Sequence, residues 1–162
     1  MTTQPTTKPK IFLAYEIGGI RADVLREAFD IVFPDTAWTK SYGLLPQVGP
    51  EAPKTHEQIH QAMKDGCAVF DLTGEKRQIN NGLNLNVLFE LGLGLGLGIP
   101  TFAIAYQPVV TYREIHDRAS DLDGCGIYGY ASRESLLGLL ESARHYFLSR
   151  LGMPPSQEEP KA

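Results

Sequence analysis

The sequence predicts an α/β fold: a five-stranded parallel sheet with helices on both faces. Three observations predict it. Short apolar runs rich in β-favouring residues alternate five times with segments of helical spacing. Two of those runs, "CAVFDL" (67–72) and "TFAIAY" (101–106), hold no charge before their last residues and read as strands buried on both faces. Helix-opening pairs, Thr55 with Gln58 and Thr111 with Glu114, stand where crossovers would begin.

The elements follow in order. Residues 1–8 read as a disordered tail, 9–152 as a single domain, and 153–162, "MPPSQEEPKA", as a second tail. "KIFLAY" (10–15) is the first strand, and "EIGGI" after it is a glycine loop. "RADVLREAFDIVF" places Val24, Leu25, Ala28, Phe29 and Val32 at helical spacing and stops before Pro34. "AWTKSY" (37–42) is a weaker second strand, followed by a loop with Pro46, Pro50 and Pro53. A helix runs from Thr55 to about Asp65, then comes the strand 67–72 and the polar loop "TGEKRQINNGLN". "GIYGY" (126–130) reads as an edge strand, and Ser132 opens a final helix to about Leu151. With five strands the flavodoxin-like order 2-1-3-4-5 is expected, a three-layer sandwich. Its ligands would lie beyond the carboxyl ends of strands one and three.

The segment "NVLFELGLGLGLGIP" (86–100) needs separate treatment, because its Leu–Gly alternation has the period of a strand. A strand there would run into "TFAIAY" with only Ile99-Pro100 between, which leaves no room for a parallel crossover. As a helix, it places Leu88, Leu91 and Leu95 on one face, with Asn84 or Asn86 as N-cap and Pro100 beyond its end. Gly92, Gly94, Gly96 and Gly98 would each cost about 1 kcal/mol relative to alanine. Close packing against the sheet, or against a second subunit, is expected to offset that.

Composition bounds the function. At 162 residues, 43% hydrophobic and 21% charged, the chain suits one globular domain with an ordinary core. A net charge of -4 argues against a nucleic-acid partner. The uncharged pieces around Glu90 are too short to span a bilayer, for which about 20 apolar residues are needed. Cys67 and Cys125 read as isolated reduced thiols. With no apolar signal core in "MTTQPTTKPK", they predict a cytoplasmic protein.

"AVFDLTG" and "NLNVLFELGLGLGLGIPTFAI" resemble the core of the nucleoside 2-deoxyribosyltransferase-like superfamily and of TIR-like nucleotide-binding domains. In both, a buried strand ends in aspartate and a hydroxyl-bearing or similar residue, and a polar loop follows. A helix then opens with Asn-x-Asn-Val-x-x-Glu-Leu-Gly, and Gly-x-Pro leads into the next strand. "KIFLAY" and its glycine loop are similar to the first strand and substrate-binding loop of these proteins. The likeness covers residues 10–106 and is most specific over 67–105. It implies a flavodoxin-like fold and chemistry at an N-glycosidic bond. In the transferases the glutamate of this motif attacks the anomeric carbon of a deoxynucleoside, and an acceptor base takes the sugar. In TIR-type enzymes a comparable glutamate supports loss of nicotinamide from NAD; related domains only bind nucleotide. Carried over, that residue is Glu90. The resemblance also implies a homo-oligomer whose sites are completed by a neighbour, and no cofactor. The transferases commonly carry aspartate where Asn84 stands, so their assignment of base protonation does not transfer.

Physical chemistry supports the same residues. Cleaving a sugar–base bond builds positive charge on the sugar, which a carboxylate stabilises or traps. Glu90 would be held ionised by the positive helix end and face the cleft. Asp71 at the end of strand three is the expected partner for sugar or base, and Tyr15 would orient Glu90 through a hydrogen bond. Gly18 and Gly19 would let backbone approach a ligand. With Thr73, Gly74, Asn84 and Asn86 they make up the expected substrate-binding set. Lys76 and Arg77 would favour a phosphorylated ligand.

Competing patterns are weaker. "HEQIH" (56–60) has zinc-protease spacing, with His116 as a conceivable third ligand, but "KTHEQIHQAMKDG" is polar on most faces, unlike a buried protease helix. A phosphoacceptor receiver using Asp71 would need an acidic pair after strand one, and "YEIGG" supplies one glutamate. A flavodoxin would need a hydroxyl-rich loop there. The expected partner is therefore a nucleoside, nucleotide or NAD, with no metal, nucleic acid or membrane.

Overall fold

The computed structural model describes residues 7–43, 55–75, 82–110 and 126–153. Strands β1 (Lys10–Ala14), β2 (Thr39–Tyr42), β3 (Cys67–Asp71), β4 (Thr101–Tyr106) and β5 (Ile127–Tyr130) form one sheet. All neighbours pair in parallel, in the order β2-β1-β3-β4-β5. Among the described residues four helices alternate with them: α1 (Ala22–Val32), α2 (Thr55–Met63), α3 (Leu85–Gly96) and α4 (Arg133–Arg150). This is the flavodoxin-like sandwich expected, with element ends moved by a residue or two. The helix expected near Thr111 lies outside the described residues, as do Cys125, Lys76, Arg77 and His116.

Alternation along each strand sorts the core onto two faces. Ile11, Leu13, Cys67, Val69, Phe102 and Ile104 pack with Leu25 and Phe29 of α1 and Leu140 and Phe147 of α4. Phe12, Ala14, Ala68, Phe70, Ala103 and Ala105 pack with Ile59 and Met63 of α2 and Val87 and Leu91 of α3. The first face is aromatic: Phe33 stands edge-on to Trp38 at 5.1 Å and beside Phe29 at 4.8 Å. Burial pushes the Cys67 thiol far above its ordinary range, so it stays protonated and inert.

Helix α3 is not a strand, and each end is closed by a specific device. The Asn84 side chain caps it, accepting from the N–H groups of Asn86 at 3.0 Å and Val87 at 3.2 Å. Gly98 ends the turn beyond it at φ +68°, a conformation that favours glycine. The buried face runs through Val87, Glu90, Leu91 and Gly94. Of the expected leucine stripe only Leu91 is fully buried, and Leu95 is 40% exposed. Gly94 explains the rotation. A Cβ there would stand 3.1 Å from Phe70 Cζ, so the missing side chain lets the helix settle onto β3. Gly92 and Gly96 instead face open space. Among the described residues no helix is long and apolar enough to cross a membrane.

Candidate active site

Helix α1 leaves β1 toward one face of the sheet, and α3 leaves β3 toward the other. The carboxyl ends of β1 and β3 therefore form the switch point where a ligand crevice opens. A narrow crevice is present there, with a cavity of only about 10 Å³, lined by Tyr15, Glu16, Gly19, Arg21, Asp71 and Thr73 among others. Gly18 turns the chain above it at φ +70°. The Gly19 N–H closes that turn on the Glu16 carbonyl at 3.1 Å.

Asp71 ends β3 on the α1/α4 side of the sheet, and its two oxygens are occupied. Oδ1 accepts the Thr73 N–H at 3.1 Å; Oδ2 accepts the Tyr130 hydroxyl at 2.7 Å and faces Arg21 Nη2 at 3.5 Å. Arg21 also donates from Nε to Glu75 at 2.8 Å and from Nη1 to the Tyr130 hydroxyl, and its guanidinium lies 4.1 Å over the Tyr106 ring. The Thr73 hydroxyl accepts the Tyr106 N–H at 2.8 Å, and Glu16 accepts the Glu75 N–H. One cation thus ties together the loop after β1, the loop after β3 and the end of β5. Burial raises the Asp71 carboxyl, which Arg21, Thr73 and Tyr130 offset only in part. Burial opposes the Arg21 charge, yet Asp71, Tyr130 and Glu75 outweigh it and hold its pKa above the ordinary value.

Glu90 lies on the other face. It sits in the second turn of α3 between the core residues Val87 and Leu91 and is 9% exposed. Its neighbour Phe89 is 61% exposed, so the helix buries a carboxyl and exposes a ring. Burial pushes the Glu90 carboxyl up from 4.5 to about 7, and no charged group among the described residues pulls it back. The expectation that the helix end holds it fully ionised is corrected: five residues past the first helical position the dipole is spent, and desolvation decides.

Several other expected site residues are placed differently. Tyr15 packs with the α1/α4 core, and its phenol interacts electrostatically with Arg26 of α1. It does not bond to Glu90, because the sheet lies between them. Gly74 is buried in a loop–loop contact, with a Cβ there falling 3.1 Å from Asn84 N; Thr73 bridges to Leu83. Asn84 is a cap, and Asn86 is exposed. The structure therefore brings Tyr15, Gly19, Asp71 and Thr73 together and sets Glu90 apart. Arg21, Glu16, Glu75, Tyr106 and Tyr130 were not singled out from the sequence. The one available signal was that strands β4 and β5 both end in tyrosine, which their register pairs.

The helix carrying "HEQIH" lies on the surface, with His56 exposed. Among the described residues no group of three or more His, Cys, Asp or Glu is placed to hold a metal. No protein-family model and no curated protein matches the chain.

Proposed function

We propose that the protein binds a nucleoside or nucleotide at the carboxyl edge of its sheet and breaks or transfers the N-glycosidic bond, with Glu90 as the reacting carboxyl. One observation carries the reading: a carboxyl nine-tenths buried and raised to about 7 without a charged partner among the described residues. A structural glutamate would gain by turning to solvent, or by pairing. Near neutrality this group exchanges between its two forms, which suits it to attack or stabilise an electron-poor sugar carbon and then release it.

In this reading Asp71 does not touch the sugar. With both oxygens occupied, it holds Arg21 and Tyr130 and so positions the rim. The Gly18–Gly19 turn supplies backbone for the ligand. A second copy of the chain covers the outer face of α3, where Leu85, Phe89, Gly92 and Gly96 form an uncharged exposed stripe.

The test is chromatographic detection of released base from deoxynucleosides, nucleoside monophosphates and NAD, comparing wild type with Glu90→Gln. Release by wild type that is lost in the variant supports the reading and names the substrate class. No release, with a ligand still raising the melting temperature, replaces it with a nucleotide-binding module that lacks turnover.

A further inference from the structure

We propose that His56 and His60 on α2 form a two-imidazole site for a divalent transition-metal ion, with Cu2+ the tightest ligand. Helix α2 is continuous over Thr55–Met63, so the two residues are one turn apart on the same side. Their Cβ atoms then lie about 5–6 Å apart, within reach of one ion at metal–nitrogen distances of about 2.0–2.1 Å.

The scaffold holds that spacing. Ile59 and Met63 are buried beneath the helix, and Lys10 Nζ donates to the carbonyls of Gln61 at 3.1 Å and Lys64 at 3.0 Å at its far end. That contact sets the end of α2 beside the start of β1. His56 stands at the opposite end of α2, on the carboxyl side of the sheet, and His60 lies one turn nearer the Lys10 contact. His56 is exposed and His60 half-buried, so an ion reaches both from solvent. Neither imidazole is engaged with another described residue.

The site takes two ligands from the protein and the rest from water. Glu57 does not complete a group of three, so the peptidase arrangement is absent among the described residues. Imidazole selects Cu2+, Ni2+ and Zn2+ over Mg2+ and Ca2+, and Cu2+ leads the divalent series. Because chelation requires the helical spacing, the ion binds the folded chain better than the unfolded one and raises its stability.

The experiment is calorimetric titration of the full chain with CuCl2, NiCl2, ZnCl2 and MgCl2, with thermal melts in parallel. Wild type is expected to bind one Cu2+, more tightly than Ni2+ or Zn2+, and not to bind Mg2+. His56→Ala and His60→Ala each lower Cu2+ affinity by about tenfold or more and shrink the rise in Tm, while His145→Ala on α4 changes neither. His56 and His145 are exposed and His60 is half-buried, and circular dichroism verifies the fold of each variant. Absence of Cu2+ binding by wild type, or wild-type affinity retained in either α2 variant, overturns the proposal.

Discussion

Glu90→Gln makes the burial of this carboxyl measurable without any substrate. The unfolded chain ionises Glu90 near 4.5, whereas the folded chain holds its proton to about 7. Below 4.5 the group is neutral in both states and costs nothing. Between 4.5 and 7 the unfolded chain releases the proton first, so stability falls as pH rises, by up to about 1.4 kcal/mol per pH unit. Above 7 both states are ionised and the loss is complete, at about 3 kcal/mol for the full interval. With the residue 9% exposed, solvent screening trims this little. The assay is urea denaturation of both proteins from pH 4 to 8.5. The difference between their unfolding free energies cancels every other titrating group. It should drift in favour of the variant as pH rises through this window, then level off. A difference that stays flat across the range refutes the burial argument. If the carboxylate is the reacting form, base release climbs through pH 7 over the same interval.

Three further tests probe the frame around the candidate site. Arg21→Met leaves Asp71 buried without its cation and should cost about 3 kcal/mol by chemical denaturation, with Asp71→Asn in the same chain restoring a large part; a double variant no better than the single one contradicts the network. Gly94→Ala pushes a methyl into the Phe70 ring, whereas Gly92→Ala faces open space, so Gly92→Ala should be the more stable by at least about 1 kcal/mol in thermal melts. Asn84→Ala removes the cap of α3 and should cost about 1 kcal/mol.

The strand order was legible because it depends on local pattern. Apolar runs, caps and the two-residue gap at Ile99-Pro100 leave few ways to thread the chain. The site was legible only in part, because side chains from distant strands build it. Arg21 meets Tyr130 across 109 positions of sequence, and no local signal announces that reach. The misplaced hydrogen bond from Tyr15 to Glu90 is different, since it could have been excluded. Ile11, Leu13 and Tyr15 alternate onto one face, as do Cys67, Val69 and Asp71. The order 2-1-3-4-5 sends the first connection leftward from β1 and the third rightward from β3. Right-handed crossovers then put α1 and α3 on opposite sides of the sheet. A residue on the buried face of α3 cannot meet side chains of the α1 face except beyond the strand ends. A ligand that uses both Glu90 and the Gly18–Gly19 turn must therefore straddle the carboxyl edge. The Arg21 network that holds that edge becomes a requirement for the site rather than a decoration beside it.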